Sequence, residues 1–378
     1  MAVNVICRMH AEIHSKEKFE MEKLRIGIIG CGGIANGKHM PALKKVAECE
    51  MVAFCDIVEE RAQKAAAQYG VPGAKVTTDY LEIANDPDID IVHVCTPNRS
   101  HSFISIACLE AGKHVMCEKP MAKTAAEAQA MLDAAKKSGK KLTIGYQNRQ
   151  CYDQQMLKLA ADQGKFGEIY FAKAHALRRR AVPTWGVFMN EYEQGGGPLI
   201  DIGTHALDLT LWTMNNYEPA MVVGSKFRKL ADTKNAANAW GPWDPEKYTV
   251  EDSCFGFIKM KNGATIILES SWAINLTDTA EACCTIAGTK GGATTKGGLV
   301  FNGEENSALY THRVEKCGGA AFYEGFSSDP SESDMRQWLN AIINDTEPCV
   351  RPEQALVVSQ ILEAIYTSSE TGKPVFFD

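Results

Sequence analysis

The chain lacks a basic surplus: 40 Lys and Arg stand against 47 Asp and Glu, a formal net charge of −7 over 378 residues. A nucleic-acid footprint needs the opposite balance, so no nucleic-acid partner is expected. No uninterrupted apolar run reaches the roughly 18 residues of a spanning helix, and no membrane partner is expected either. Internal repeats and low-complexity tracts are missing. With 45% hydrophobic and 23% charged residues, wholesale disorder is excluded. The thirteen cysteines form no C-x-x-C pair, and their number is odd. Cys55, Cys95 and Cys117 each end an apolar run. They read as small buried hydrophobes in a reducing compartment, cytoplasmic by default. Zinc-ligand spacing is also missing, so no metal is expected. Residues 1–20 have too short an apolar stretch for a signal peptide and carry no clear period. Met21 directly precedes the first convincing strand, so residues 1–22 read as a disordered extension or the product of a mis-set start.

What is present is an alternation. Apolar runs at Leu24–Ile29, Met51–Cys55, Ile91–Cys95, His114–Cys117 and Leu142–Tyr146 are separated by Ala-rich amphipathic stretches such as Glu59–Tyr69, Ser102–Ala111 and Ala125–Lys137. Continuous apolar strands alternating with helices predict a doubly wound parallel sheet covered on both faces. After Gln147 the pattern changes. A helix near Gln154–Gln163, a strand at Ile169–Leu177 and an apolar helix at Leu199–Met214 lead into alternating runs at Met221–Phe227, Ser253–Met260, Ala264–Ser271 and Cys284–Ala287. The turn signal Lys261-Asn262-Gly263 sits between two of them. Two helices, Glu332–Ile343 and Pro352–Ser369, close the chain. At roughly 150 residues per domain, two are expected. The first spans 23–147 and the second 148–378.

Gly30-Cys31-Gly32-Gly33-Ile34-Ala35 follows the first strand and opens a helix. In this G-x-G-x-x-A spacing Gly30 allows the tight turn and Gly32 lets backbone approach a pyrophosphate. Ala35 permits close helix–strand packing. A lone glycine triplet is often only a turn. Here a strand before, a helix after and Asp56 at the next strand end agree, and Asp56 is placed to accept hydrogen bonds from a ribose diol. NAD is therefore expected over NADP, since a carboxylate repels a 2′-phosphate. Glu59 and Glu60 add to that field. Arg61 reads as packing on adenine or pairing with an acid of its own helix.

With these residues and the motifs GIIGCGGIA at 27–35, CTPNRSH at 95–101, CEKPMA at 117–122 and GGGPLIDIGTHALD at 195–208, the chain resembles the Gfo/Idh/MocA oxidoreductases over residues 23–378. The resemblance implies an α/β protein: an N-terminal Rossmann domain, then a C-terminal α/β domain with an open, mostly antiparallel sheet. It implies oxidation or reduction of a secondary alcohol of a sugar or cyclitol, and a homodimer or homotetramer pairing through the second sheet. Cofactor contacts are expected from Gly30, Gly32, Gly33, Ile34 and Asp56, then from Thr96, Asn98, His101, Glu118, Lys119 and Gln147. Lys119, Asp201 and His205 are the expected catalytic residues. Alone, a strand-end Lys is more often a solvated cation, and His205 would read as a core histidine. The Lys119–Pro120 bond resembles one that is cis in relatives.

Asp201, His205 and Asp208 are spaced i, i+4, i+7, which places them on one helical face. Asp208 stands open between a site acid and a structural one. Substrate contacts are expected from Arg179 and Trp185 as well as Asp201 and His205. The run Arg178-Arg179-Arg180 reads equally as a charge patch, and Trp185, Trp240 and Trp243 are each core or sugar-stacking. The activity read from this is oxidation of a ring hydroxyl of a sugar, glycoside or cyclitol, with C3 of a glycoside a candidate position. His205 or Lys119 would be the base. The alternatives are a redox-neutral NAD-dependent glycosidase passing through a 3-keto intermediate, and a non-catalytic NAD/sugar sensor.

Overall fold

The computed structural model describes residues 22–315, 321–323 and 326–378. The expected extension lies outside them except for Glu22. Two sheets organise the chain. The first contains β1 (Leu24–Ile29), β2 (Cys49–Cys55), β3 (Lys75–Thr77), β4 (Ile91–Val94), β5 (His114–Cys117) and β6 (Leu142–Ile144). All of its pairings are parallel, in the order β3-β2-β1-β4-β5-β6. β1 and β4 carry apolar side chains on both faces, as burial between two helix layers requires. This order reverses direction between β1 and β4, the place where doubly wound sheets bind ligands.

The register matters for function. Ile29 lies opposite Cys55 and Val94, Val94 opposite Cys117, and Cys117 opposite Ile144. Five strands thus end in one level row. The residues that follow that row — Gly30, Asp56, Thr96, Glu118-Lys119 and Gly145–Gln147 — share one edge of the sheet.

The second sheet has nine strands: β7 (Ile169–Leu177), β8 (Pro219–Phe227), β9 (Ser253–Met260), β10 (Thr265–Ser271), β11 (Cys283–Gly288), β12 (Gly292–Thr294), β13 (Val300–Glu305), β14 (Ala308–Arg313) and β15 (Val375–Phe376). Their order is β14-β13-β12-β11-β7-β10-β9-β8-β15. Only β7 and β10 pair parallel; the other pairings are antiparallel. Strands β3, β12, β13, β14 and β15 were not anticipated. β3, β12 and β15 are two or three residues long, β13 buries only Phe301 and β14 is exposed throughout, so they carry no strong burial alternation.

The helix Pro352–Thr371 packs so closely on β8 and β9 that a Cβ at Gly224 or Gly256 would meet Ile365 at 2.6 Å. The late helix Pro330–Ile343 crosses back to the first sheet. There Met335, Trp338 and Leu339 share a core with Ile28, Met40, Leu43 and Phe54. The helix Pro352–Thr371, which packs on β8 and β9, also packs on β6 and the helix Ala125–Ser138, so it bridges the two sheets. Among the described residues no helix is long and apolar enough to cross a membrane. Cys55 and Cys117 end strands as expected, and both thiols are buried, as is Cys95 just past β4.

Candidate active site

The phosphate-facing end is built by β1 and the turn after it. Gly30 has φ +90°, and a Cβ there would fall 2.7 Å from the backbone of Cys95. Only glycine suits both constraints. A Cβ added at Gly32 or Gly33 would meet nothing within 4 Å, which leaves open space above the loop. Ile34 is partly exposed beside them. A π-helical turn, Ala35–His39, continues as the helix Met40–Leu43. Asp56 follows β2. Its carboxylate accepts the Cys31 N–H at 2.9 Å and the Val58 N–H at 2.9 Å. Each oxygen keeps a lone pair for a further donor. Arg61 stands 3.8 Å from Asp56, so the expectation that it pairs with an acid of its own helix is corrected: its partner is the strand-end carboxylate. The open glycine cradle, the pinned Asp56 carboxylate and the buried, unpartnered Thr96 hydroxyl fit a dinucleotide across the switch point.

Glu118 is the buried hub behind this cradle. Its Oε1 accepts from Lys38 Nζ at 3.0 Å and His39 Nε2 at 2.8 Å. Its Oε2 accepts the Lys119 backbone N–H at 3.1 Å. Burial opposes ionisation, but Lys38 and His39 outweigh it and hold the carboxyl well below the usual range. Lys38 also reaches Asp334 at 3.1 Å and Gln147 Oε1 at 3.3 Å. Glu118 and Gln147 therefore meet through a lysine on the glycine-loop helix. His101 sits between two carbonyls, Pro120 O at 2.8 Å and Thr96 O at 2.9 Å, and ties the β4 and β5 loops together. The Lys119–Pro120 bond is cis. Asn98 donates to Gln194 O at 3.0 Å, joining the first unit to the second.

On the opposite wall Asp201 belongs to a π-helical stretch, Leu199–Gly203, that runs into the α-helix Thr204–Met214. Such stretches recur at functional sites. The triple glycine before it is a packing requirement. A Cβ on Gly196 would meet Tyr366 Oη at 2.1 Å, and one on Gly197 would meet Glu251 O at 2.4 Å. Glu251 then caps the helix start by accepting N–H bonds from Gly197 (2.9 Å) and Leu199 (3.2 Å).

Lys119 Nζ donates to Asp201 Oδ1 at 2.9 Å and to its carbonyl at 2.8 Å. Asp201 Oδ2 accepts from Trp272 Nε1 at 3.1 Å, with Arg178 Nη1 at 3.9 Å. Burial would raise the Asp201 carboxyl, yet Lys119 and Arg178 bring it below its ordinary value. His205 lies one turn on, its ring edge-on to Tyr146 at 6.1 Å. Its Nδ1 is buried without a partner. Burial first, then the Lys119 charge, pushes its pKa down to about 3, so the imidazole is neutral at working pH.

Lys119, Asp201 and His205 are thus brought together across the cleft. Asp208 is not with them. It forms a buried two-point pair with Arg149, Oδ1–Nη2 2.5 Å and Oδ2–Nε 2.9 Å. Of the arginine run, Arg178 faces Asp201 while Arg179 is exposed. Trp185 and Trp240 are half-exposed and Trp243 is core. Spacing along the chain did not single out Lys38, Arg149 or Trp272. Each meets its partner from a distant segment, and the sequence carries no local signal for such contacts. Arg178 had one, the arginine run at the end of a strand.

A family model described as "Oxidoreductase family, NAD-binding Rossmann fold" matches residues 24–146. Its companion, "Oxidoreductase family, C-terminal alpha/beta domain", matches residues 158–377. The chain is 35% identical over 360 residues to D-glucoside 3-dehydrogenase of Escherichia coli K12, covering 95% of this chain and 99% of that protein. It is 32% identical over 212 residues to inositol 2-dehydrogenase of Salmonella typhimurium LT2, covering 56% of this chain and 60% of that one. The crystal structure of aldose-aldose oxidoreductase from Caulobacter crescentus, complexed with glycerol, superposes with a TM-score of 0.77 at 25% identity. That superposition covers 94% of this chain and all of the other.

Proposed function

Because the chain belongs to the Gfo/Idh/MocA oxidoreductase family, with its NAD-binding Rossmann domain, we propose that it oxidises the C3 hydroxyl of a glucoside to a ketone with NAD. The protein is an oxidoreductase of the sugar and inositol dehydrogenase kind. The choice of C3 rests on the relative that matches along nearly the whole chain. The observation that carries the chemistry is the neutral imidazole of His205, its Nδ1 without a partner, one helical turn from the Lys119–Asp201 pair.

Bound NAD supplies the hydride acceptor. His205 receives the hydroxyl proton at a ring nitrogen. Lys119 hydrogen-bonds the same oxygen and offsets the negative charge developing on it. Asp201, held by Trp272 and Arg178, keeps the ammonium aimed at that oxygen. On the cofactor side Gly30, Gly32, Gly33, Ile34 and Thr96 border the dinucleotide, and Asp56 accepts from the ribose hydroxyls. Asn98, His101, Glu118, Lys119 and Gln147 complete that side, and the hydrogen bonds to Gln194, Thr96, Pro120 and Lys38 hold four of them in place. Arg179 and Trp185 border the glycoside substrate. Residues 23–147 form the cofactor unit and 148–378 the substrate and oligomer unit, with the helix Pro330–Ile343 returned to the first.

Subunit pairing uses the uncovered face of the nine-stranded sheet, where Val223, Phe227 and Phe257 stay partly exposed. The assembly in this reading is a homodimer or homotetramer. The buried thiols favour a reducing cytoplasm.

The test is NAD reduction over free sugars, inositols and glycosides, with mass spectrometry of the product. A ketone one dihydrogen lighter, with the aglycone attached, is expected. Free aglycone without net NADH would instead favour the redox-neutral glycosidase. Lys119→Ala and His205→Ala should each lower turnover by roughly 10²–10⁴-fold with NAD affinity largely kept. Near-normal turnover in both variants refutes the assignment.

A further inference from the structure

Two of the six tryptophans are left half in solvent, Trp185 at 51% and Trp240 at 45% exposed, while Trp243, Trp272 and Trp338 are buried. The exposed pair is adjacent: the ring centres are 4.8 Å apart and the planes stand at 85°. Phe188 adds a third ring 5.9 Å from Trp185. Exposing that much flat apolar surface is unfavourable unless something covers it.

The segments that carry these rings are tied together. Asn238 bridges them: its Oδ1 accepts the Val182 N–H at 2.8 Å, and its Nδ2 donates to Val182 O at 3.0 Å and Gly241 O at 2.8 Å. Ala239 N–H donates to Arg180 O at 3.1 Å, and the Thr184 hydroxyl to Trp240 O at 3.0 Å. These bonds hold the aromatic pair as a platform.

The platform adjoins the reacting centre through one side chain. Arg178 is clamped by Glu281 through two bonds, Nε–Oε2 2.6 Å and Nη2–Oε1 2.5 Å. Its Cζ lies 5.5 Å from the Trp240 ring centre, while its Nη1 is 3.9 Å from Asp201 Oδ2. A sugar ring whose hydroxyl meets Lys119 and His205 therefore has polar groups around it and an aromatic surface just beyond Arg178.

We propose, on the basis of the glycoside reading above, that Trp185 and Trp240 form an aglycone subsite for glucosides whose anomeric substituent is a flat ring with an apolar face. Both an aryl group and the C–H face of a second pyranose present that chemistry. Free monosaccharides and methyl glucosides leave the platform bare.

The experiment compares kcat/KM for phenyl glucoside, a glucose disaccharide and methyl glucoside in the wild type, Trp240→Ala and Trp240→Phe. In Trp240→Ala the ratio of ring-bearing to methyl glucoside should fall about tenfold through KM, a change of about 1.4 kcal/mol. Trp240→Phe should restore most of it. A loss confined to phenyl glucoside assigns the subsite to aryl groups, and a loss on both to any flat ring. An unchanged ratio, or an equal loss on methyl glucoside, overturns the proposal. So does a changed sedimentation mass in Trp240→Ala, which would make the patch a subunit contact. Tryptophan fluorescence titrated with phenyl glucoside on the NAD-loaded protein is independent of turnover. If no glycoside is oxidised, a fluorescence change abolished in Trp240→Ala still supports the subsite, and no change in the wild type overturns it.

Discussion

Asp208→Asn separates a structural acid from a catalytic one. The pair with Arg149 is shut away from water, with side chains 0% and 1% exposed. Removing one partner of a buried ion pair costs about 3–5 kcal/mol, because the other charge stays uncompensated. Here Arg149 keeps neutral acceptors at Cys349 O (2.9 Å), Gln354 Oε1 (2.8 Å) and Tyr217 Oη (3.3 Å). Asn retains one acceptor but turns an N–H donor toward a guanidinium N–H. The lower end, about 3 kcal/mol, is therefore expected. With a urea m-value of about 1–3 kcal/mol/M, the unfolding midpoint should drop by about 1 M or more. Turnover per folded molecule should stay within a few fold. The double variant Arg149→Met/Asp208→Leu removes both charges and should recover most of the stability, as apolar replacements of buried pairs do. A hundredfold loss of kcat in Asp208→Asn with an unmoved midpoint would put Asp208 in the chemistry and refute this reasoning.

His205 should leave no protonation limb near pH 6.5 in kcat/KM, because its folded pKa is pushed down to about 3; a limb at 6.5 in steady-state profiles would contradict that. The same shift makes stability fall with acid. Below the unfolded value of about 6.5 only the unfolded chain binds this proton, so the group costs up to about 1.4 kcal/mol per pH unit down to the folded pKa and nothing above 6.5. His205→Asn should flatten the urea midpoint against pH in that window. For the cofactor, NAD should exceed NADP by at least about tenfold in catalytic efficiency, or about 1.4 kcal/mol. Asp56→Ser should narrow or invert the ratio by removing the repelling carboxylate. Equal efficiency with both cofactors in the unaltered protein would show Asp56, with Arg61 beside it, to be misread.

The first sheet was legible because its information is local. Leu24–Ile29 and His114–Cys117 are short apolar runs whose burial on both faces follows from composition. The glycine loop is read from its spacing together with the strand before it, the helix after it and Asp56 at the next strand end, and Gly30 does adopt φ +90°. Asp56 is read from its place at a strand end, whereas the roles expected of Lys119, Asp201 and His205 come from the motifs shared with the family, since position alone would make Lys119 a solvated cation and His205 a core histidine. The level alignment of Asp56 and Lys119 comes from the parallel register of the strands that precede them.

Other features exist only once distant segments pack. Lys38 meets Glu118 from 80 positions away and Asp334 from the far end of the chain. Asp208 looked equivalent to Asp201 by periodicity, and its role was set by Arg149 arriving 59 residues upstream to neutralise it. Among the arginines at 178–180, strand geometry chose Arg178. Among the tryptophans at 185, 240 and 243, burial made Trp243 core and left the other two at the cleft. A helical or strand period states which side a residue faces, but the charge or ring waiting there comes from another part of the chain, and that partner decides whether the residue is a brace, a base or a binding surface.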